Sequence, residues 1–387
     1  MPTQIEELSV TNFRCLKKMN LKLQSLNVLI GPNGSGKTTV LDIFNLVAAG
    51  ARQNLARKIS EYGGVSTLLT VDNTEANAIQ FGLLVKVEWF KKPIAFAFGI
   101  EKRGLGYVVG NERLWPLEAK SQPTWPWIEN IPGKPRYYDF VQKKMLAPAW
   151  EGFDELELML GQVPKDQEKQ ERFRKLLADT GYFSYLDVGN SSVIRNPQNL
   201  EPNLFLPGPN GENLISALYN LRTAHGDVFQ RIMEANRAAF PGFREVDFPL
   251  VAAGKATMIW MENGRKFYPH QMSEGTLRYL WLTTLLLSPA LPAITLIDEP
   301  EVSLHPELLM LLAGLLQEAS QRSFIIVSTH SDRLIRWLKP EEVVVVDRED
   351  GLSTLRRASD PSLKVEEWLK EYTLDEIWLM GELGGRP

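Results

Sequence analysis

The chain has 387 residues, of which 44% are apolar and 23% charged, as in a globular protein with a hydrophobic core. This composition excludes a disordered chain, a collagen-like repeat and a disulfide scaffold. Its 43 basic and 47 acidic residues give a net charge of -4, so any nucleic-acid surface must be a local basic patch. The single cysteine, Cys15, excludes an intramolecular disulfide and a cysteine zinc cluster, which suits a reducing cytoplasm.

One uncharged stretch, residues 279–297, approaches the length of roughly 20 apolar residues that a membrane helix needs. Pro289 and Pro292 interrupt it, and both break helices. We therefore predict a buried helix, a turn and a buried strand here. The polar, acidic start of the chain does not resemble a secretory signal. Together these features predict a cytoplasmic protein without membrane association.

The first hundred residues alternate between strand and helix patterns. Apolar positions 8 and 10, and then 19, 21 and 23, predict two half-buried strands. The apolar run 26–30 predicts a strand that leads into a glycine-rich loop, and helical spacing follows from Thr38. Residues 79–110 alternate again, which predicts an antiparallel layer.

The character of the sequence changes in the middle of the chain. A region rich in proline and tryptophan, 115–138, predicts a loop, and helical patterns follow at 155–160, 165–178 and 213–239. We predict an N-terminal lobe at 1–115, a mostly helical insertion at 116–239, a C-terminal lobe at 240–358 and a tail at 359–387. The length allows two or three domains of about 150 residues.

The C-terminal lobe indicates the fold class. Strand patterns at 245–250 and 256–262 precede the apolar strands 294–297, 324–327 and 343–346, with a helix at 306–317. Strands that alternate with helices imply a parallel sheet with helices on its faces. We predict an α/β protein that combines a mixed sheet, covered by helices, with an antiparallel β layer.

The strongest motif follows the strand at 26–30. Residues 31–38 read GPNGSGKT and fit G-x-x-x-x-G-K-[ST] at every fixed position. Glycines allow successive backbone N–H groups to point at phosphate oxygens, and the next helix offers its N-terminus to the same anion. A simple glycine turn is the alternative, but the flanking strand and helix favour a nucleotide site. The predicted ATP-binding residues are Asn33, Gly34, Ser35, Gly36, Lys37, Thr38 and Thr39.

Two carboxylates, Asp298 and Glu299, end the strand at 294–297. Parallel strands direct their carboxyl ends at the ligand crevice, so Asp298 should lie beside a Mg²⁺ ion that the Thr38 hydroxyl also binds. Glu299 could orient or deprotonate the attacking water. His330 ends the next strand and should reach the γ-phosphate from the same edge. We predict Glu299 and His330 as catalytic residues.

A second anion site is possible upstream. Ser273 and Gly275 stand at the start of an apolar helix, where the helix dipole favours a negative charge. Taken alone, Ser273 would simply cap this helix.

Together these motifs resemble the ATP-binding-cassette (ABC) ATPases. They are GPNGSGKTT at 31–39, MSEGT at 272–276, LIDEPE at 296–301, SLHP at 303–306 and STHS at 328–331. SLHP, the short SEGT signature and the opening VTNFR at 10–14 are similar to the RecF/SMC-like branch, which includes the ATPase half of OLD-family defence proteins. The resemblance covers about 1–115 and 240–350 and says little about the middle.

The resemblance implies a homodimer or higher homo-oligomer that sandwiches ATP between the phosphate loop of one subunit and the signature of the other. Ser273 and Gly275 would then bind the γ-phosphate of the partner's ATP, Ser303 would lie at the interface, and Arg14 would approach the nucleotide. The family's glutamine that bridges Mg²⁺ and water has no clear counterpart, since Gln80 is a weak match. Too few residues follow Val346 for a TOPRIM nuclease domain, so we expect the chain not to cut DNA by itself.

The leading interpretation is an ATP-driven dimerising switch that acts on DNA, in antiphage defence or repair, with a separately encoded nuclease-like effector. The alternatives are the ATPase subunit of a membrane transporter and a scaffold that binds nucleotide without turnover. The long separation of Lys37 from Asp298 disfavours a transporter, and the presence of Glu299 and His330 disfavours a scaffold.

Two further segments could serve binding. Residues 133–138 and 143–144 interleave cations with tyrosines, as a DNA surface would, although a solvated loop anchored by its tyrosines is favoured. The apolar residues of the tail 366–387 are expected to pack on the chain's own head, which consists of the N-terminal and C-terminal lobes. Docking of a partner protein is the alternative.

Overall fold

The computed structural model describes residues 4–70, 77–117, 125–131, 134–148, 152–184 and 186–384. The strands, in chain order, are β1 (Gln4–Phe13), β2 (Leu16–Lys22), β3 (Leu26–Ile30), β4 (Ala78–Val87), β5 (Phe90–Arg103), β6 (Gly106–Pro116), β7 (Ile128–Ile131), β8 (Lys134–Asp139), β9 (Lys144–Leu146), β10 (Thr180–Phe183), β11 (Gln198–Asn199), β12 (Phe243–Asp247), β13 (Leu250–Ala252), β14 (Lys255–Ala256), β15 (Ile259–Glu262), β16 (Arg265–Phe267), β17 (Ile294–Asp298), β18 (Phe324–Thr329), β19 (Val343–Glu349) and β20 (Leu352–Arg357). The helices are α1 (Lys37–Ala51), α2 (Leu55–Glu61), α3 (Val65–Leu68), α4 (Met159–Gln162), α5 (Glu168–Ala178), α6 (Leu214–Ala224), α7 (Gly226–Ala239), α8 (Glu274–Leu287), α9 (Leu308–Ala319), α10 (Asp332–Ile335), α11 (Val365–Trp368) and α12 (Leu374–Leu379).

A six-stranded sheet forms the centre of the fold, in the order β10-β17-β18-β3-β19-β20. The first five strands run parallel, and β20 joins antiparallel at one edge. Four of these strands, β3, β17, β18 and β19, are apolar runs that are buried almost throughout. Such runs are expected of parallel strands covered on both faces.

The two faces of this sheet pack into different cores. Successive residues alternate between them, so that Ile325 and Val327 face one core, while Phe324 and Ile326 face the other. The first core also takes the buried faces of α6, α7, α8, α9 and α12. The second takes α1, α5 and the inner face of the antiparallel layer.

The antiparallel layer is an eight-stranded sheet in the order β2-β1-β4-β5-β6-β7-β8-β9. Its strands β1, β4 and β6 alternate between buried and more exposed positions, which is the pattern of a sheet with one covered face. The predicted α/β class with a helix-covered mixed sheet and an antiparallel layer is therefore confirmed.

The middle of the chain differs from the sequence prediction. The loop predicted over 115–138 is wrong where β7 and β8 extend the antiparallel sheet. Residues 116–239 contain four helices in their described part, but β10 from the same segment pairs with β17 in the central sheet. The predicted boundaries at 115 and 240 therefore do not coincide with the boundaries of the sheets.

The tail packs on the head, as predicted. Leu374, Ile377, Trp378 and Leu383 are at most 2% exposed and belong to the first core. The stretch 279–297 forms most of α8, a turn and the beginning of β17, as expected. In the described ranges no helix combines the length and apolarity needed to span a bilayer.

Candidate nucleotide site

Three functional loops meet where the central strands end. The register pairs Asp298 with Ser328 and Thr329 with Ile30, so β17, β18 and β3 end side by side. The phosphate loop follows β3, the acidic pair ends β17, and His330 follows β18. The order of the strands thus brings together residues that are distant in sequence.

The phosphate loop has the backbone geometry that its glycines allow. Gly36 has a φ of 108°, and a Cβ on it would lie 2.6 Å from Ser353 Oγ and 2.9 Å from Cys15 Sγ. A Cβ on Gly31 would lie only 2.0 Å from the carbonyl oxygen of Val346. Both positions therefore require glycine. Ser35 Oγ is buried without a hydrogen-bond partner among the described residues.

Lys37 lies beneath this loop and is 4% exposed. Its ammonium donates hydrogen bonds to the carbonyls of Gly31 (2.7 Å) and Pro32 (3.0 Å) and lies 3.2 Å from His330 Nδ1. Burial lowers the pKa of Lys37 from 10.5 to about 8, although Glu299 and Asp298 favour its charged form. The loop thus holds a lysine whose charged form is disfavoured by burial. A bound anion would stabilise that charged form.

His330 connects this lysine to Glu299. Its Nε2 lies 2.9 Å from Glu299 Oε1, while its Nδ1 faces Lys37. Glu299 adopts a φ of 50°, in the left-handed region, and its backbone N–H donates to the carbonyl of Ser328. A non-glycine residue in this region usually marks a position that the surrounding structure enforces. The structure therefore brings the predicted residues Lys37, His330 and Glu299 into one contact series.

Asp298 is half-buried beside this series. Its Oδ1 accepts a hydrogen bond from the Ser328 hydroxyl, and its Oδ2 accepts one from the Tyr182 hydroxyl at 3.4 Å. The Thr38 side chain is exposed at the start of α1. Among the described residues no group of three His, Cys, Asp or Glu side chains could hold a metal alone. One carboxylate and one hydroxyl fit Mg²⁺ that arrives with nucleotide phosphates.

Arg14, which is predicted to approach the nucleotide, is held against α1. Its guanidinium pairs with Asp42 of α1 and lies 4.8 Å from the ring centre of Tyr62. The Tyr62 hydroxyl donates to the same carboxylate at 2.7 Å, and burial raises the pKa of Tyr62. Arg14 still lines a cleft of about 510 Å³ beside the phosphate loop, together with Cys15 and Arg348.

The signature residues lie at the start of α8. Ser273 caps this helix by accepting a hydrogen bond from the Thr276 N–H at 3.1 Å, as predicted. A Cβ on Gly275 would lie 2.6 Å from the carbonyl oxygen of Ser303, and the Ser303 hydroxyl reaches Glu274 at 3.3 Å. Glu274 and Gly275 thus lie against the turn after Glu299.

Sequence reasoning did not single out three polar residues of the site. Tyr182 contacts Asp298 from β10, a strand that was not predicted. Asp42 holds Arg14, and Glu301 contacts the backbone of His330. The LIDEPE motif contains Glu301, and a helical turn separates Asp42 from Thr38, so both had a signal in the sequence. Tyr182 had none.

The candidate DNA segment is anchored by its tyrosines. Tyr137 is 7% exposed and belongs to the second core, and Tyr138 is half-buried against Phe140. Lys134 and Arg136 are exposed on β8, whereas Gly133 lies outside the described residues. Glu129 stands opposite Arg136 in the sheet register, which reduces the local positive charge.

Comparison with known proteins agrees with this geometry. The family model described as "AAA domain, putative AbiEii toxin, Type IV TA system" matches residues 161–336, and the "AAA ATPase domain" model matches residues 4–91. The first spans the acidic pair and His330, and the second spans the phosphate loop. These two parts of the chain are therefore similar to AAA-type ATPase domains.

Proteins that are similar in sequence or in structure include an OLD nuclease and SMC heads. A segment of 43 residues is 49% identical to an OLD nuclease from Thermus scotoductus, covering 11% of this chain and 8% of that protein. An SMC head bound to the C-terminal winged-helix domain of ScpA matches with a TM-score of 0.55 and 14% identity, over 91% of this chain and 97% of that one. An Smc head from Pyrococcus furiosus matches with a TM-score of 0.54 and 13% identity, over 95% and 100%. The chain thus has the fold of an SMC head, and one short segment of it is similar to an OLD nuclease.

Proposed function

We propose that this chain, which resembles SMC/RecF-like ATPases, hydrolyses ATP with Mg²⁺ and uses ATP to join two copies into a switch. The single observation that supports hydrolysis best is that His330 contacts both Lys37 and Glu299 where β3, β17 and β18 end. A protein that only bound nucleotide would not need a carboxylate and an imidazole aligned beside the lysine.

Each side chain has a distinct part in the proposed reaction. Lys37 would leave the carbonyls of Gly31 and Pro32 and donate to the terminal phosphates. Thr38 and Asp298 would hold Mg²⁺, which neutralises phosphate charge when bound. Glu299 would accept a proton from the attacking water, and the His330 contact would orient its carboxylate.

The dimer is proposed from the position of the signature. Ser273 caps a 14-residue helix, α8, whose N-terminus favours an anion, and Gly275 in its first turn lies against the turn around Ser303. In a sandwich this helix N-terminus would meet the γ-phosphate of ATP bound by the partner. Ser303 would then lie at the interface.

Action on DNA, in antiphage defence or repair, is proposed from the resemblance to OLD and RecF/SMC-like proteins. The similarity to an OLD nuclease supports a role beside a nuclease-like effector, which a separate gene would encode. The segment 134–138 gives little support for direct DNA contact, because Tyr137 packs into the second core and Tyr138 packs against Phe140. We therefore place the DNA role in the assembly with the effector.

Glu299→Gln tests the proposed hydrolysis. The variant should bind ATP as tightly as the wild-type protein, because the amide removes the proton acceptor and leaves Lys37 in place. Its turnover should fall by about a hundredfold or more, as for loss of a general base, and ATP should shift it from monomer to dimer. Steady-state ATPase assays and sedimentation velocity measure both effects.

Glu307→Gln is the matched control, since this carboxylate lies on the same connection and is 88% exposed. It should retain wild-type turnover. Unchanged turnover in Glu299→Gln, or the absence of turnover in the wild-type protein, would contradict the proposal.

A further inference from the structure

The turn after β17 carries a second carboxylate that the proposed reaction does not use. Glu301 lies two residues after Glu299, and its Oε1 accepts hydrogen bonds from the Thr329 hydroxyl at 2.5 Å and from the His330 N–H at 2.9 Å. Its Oε2 is enclosed and has no hydrogen-bond partner in the described part of the chain. Burial raises the pKa of Glu301.

These two hydrogen bonds join the loop that carries Glu299 to the loop that carries His330. The carbonyl of Glu301 also accepts from the Leu304 N–H at 2.9 Å, so its own turn is held internally. The side-chain contact between His330 and Glu299, at 2.9 Å, lies directly beside this link. Fixing the backbone of His330 relative to the turn therefore limits where the imidazole meets the Glu299 carboxylate.

Burial of a carboxylate with one unpartnered oxygen costs stability. A hydrophobic residue would fill the space without that cost, but it could not accept hydrogen bonds from Thr329 and His330. The residue at this position therefore serves to accept hydrogen bonds that link two loops. It does so at the cost of the packing that an apolar side chain would give. Hydrogen bonds of this kind orient a neighbouring catalytic group, just as residues that are hydrogen-bonded to metal ligands orient those ligands.

We propose that Glu301 is a positioning residue that holds His330 against Glu299. Its importance for turnover rests on the proposed function, whereas its effect on His330 can be measured without any hydrolysis. Among the described residues only Oε1 accepts hydrogen bonds, so the link depends on the position of one acceptor oxygen and not on charge. Gln, whose single carbonyl oxygen can accept both bonds, should preserve it, and Ala should remove it.

Histidine NMR tests the link in the protein without nucleotide. The chain has 4 histidines, so labelling histidine rings gives a small set of signals, and His330→Gln assigns the one of interest. In Glu301→Ala the His330 signal should shift and broaden, while the signals of His225 and His270 stay in place. In Glu301→Gln the His330 signal should remain close to its wild-type position.

Glu307→Ala serves as the control for these spectra. Its carboxylate lies 3.6 Å from His305, so it should move the His305 signal and leave that of His330 unchanged. A wild-type His330 signal in Glu301→Ala would overturn the proposal. Equal displacement in the Gln and Ala variants would also overturn it, because the link would then depend on charge.

Steady-state kinetics tests the consequence for turnover. Glu301→Ala should lower kcat by about tenfold or more, with KM and ATP affinity changed by no more than about twofold, since Lys37 and the phosphate loop stay intact. Glu301→Gln should keep kcat within about threefold of wild type. A kcat of wild-type size in Glu301→Ala would contradict the role in turnover.

Thr329→Val provides a second variant should Glu301→Ala fail to fold. Thr329 is fully buried, and valine keeps its shape while removing the hydroxyl donor. Its His330 signal should move in the same direction by a smaller amount, and an unmoved signal would count against the link. If the wild-type protein lacks turnover, the proposed function fails, and the NMR result still decides whether Glu301 positions His330.

Discussion

Lys37 is the residue on which we expect nucleotide binding to depend most. Its buried ammonium donates to carbonyls of the phosphate loop and faces the imidazole of His330. Glu299 and Asp298 favour its charged form but do not offset its loss of water, so burial lowers its pKa to about 8. Triphosphate oxygens in the loop would supply the missing negative charge and stabilise the protonated form.

ATP affinity should therefore depend on pH through Lys37. Binding needs the ammonium, and the free protein loses that proton as pH rises through about 8. We expect affinity to be constant below this pH and to fall above it towards tenfold per pH unit, because one proton must be taken up with each nucleotide. Calorimetric titrations with ATP across this range measure the slope.

Lys37→Ala is the control for this dependence. It should bind ATP far more weakly and lose the alkaline slope. A wild-type affinity that stays constant well above pH 8, or an unchanged affinity in Lys37→Ala, would show that Lys37 does not bind the phosphates.

At the scale of elements, a buried carboxylate joins the antiparallel sheet to α4. Glu112 of β6 is 1% exposed, and its two oxygens accept hydrogen bonds from the N–H groups of Met159 (2.6 Å) and Leu160 (2.8 Å). These bonds provide acceptors for N–H groups at the start of a helix. Burial nevertheless outweighs them and raises the pKa of Glu112 to about 7.

Glu112 should make folding stability depend on pH. Its folded pKa is above the unfolded value of 4.5, so its contribution is fully present below about pH 4.5 and is lost as pH rises through about 7. The full change corresponds to about 3 kcal/mol, as an upper value. Denaturant unfolding of the wild type and of Glu112→Gln at several pH values measures this contribution of Glu112 to stability.

The free energy of unfolding of Glu112→Gln minus that of wild type should increase between about pH 5 and about pH 8. The amide does not titrate, so any constant effect of the substitution cancels in this comparison. A difference that stays the same at all pH values would contradict the assignment.

The elements that could be predicted are those whose sequence alone determines their form. The apolar runs at β3, β17, β18 and β19 and the glycine loop after β3 carry strong local signals. Strand β10 does not, because Thr-Gly-Tyr-Phe becomes a strand only by pairing with β17. The same holds for β7 and β8, which extend an existing sheet edge.

The helical pattern of the sequence also did not reveal a break between two helices. The pattern over 213–239 is continuous, but α6 ends at Ala224 and α7 begins at Gly226, with His225 between them at a φ of -135°. The His225 ring packs edge-on against Phe205 at 4.8 Å between centres. A contact with a distant loop residue is invisible in a local pattern.

The residues of the candidate site also divide into those that the sequence predicts and those that depend on tertiary contacts. Lys37, Asp298, Glu299 and His330 were predictable because phosphate chemistry fixes residue types and spacing within their motifs. The contact of Tyr182 with Asp298 and the link from Glu301 to His330 depend on which strands become neighbours. Those contacts follow from the tertiary structure, and the sequence alone did not indicate them.

At the scale of the whole molecule, the proposed ATP site draws on two parts of the chain. One edge of the central sheet carries the phosphate loop, the acidic pair and His330. The start of α8 carries Ser273 and Gly275 beside the turn at Ser303. A second copy would supply its α8 N-terminus to the first copy's phosphate loop, and the reverse contact would complete the pair.

Mixing two inactive variants tests this composite site most directly. Lys37→Ala destroys the phosphate loop but leaves the signature, and Ser273→Arg blocks the signature but leaves the phosphate loop. Each variant alone should be inactive. In an equal mixture about half of the dimers pair the two variants and contain one intact site, so ATPase activity should recover to about a quarter of wild type. Activity of Ser273→Arg alone at the wild-type level, or no recovery at any mixing ratio, would contradict the shared site.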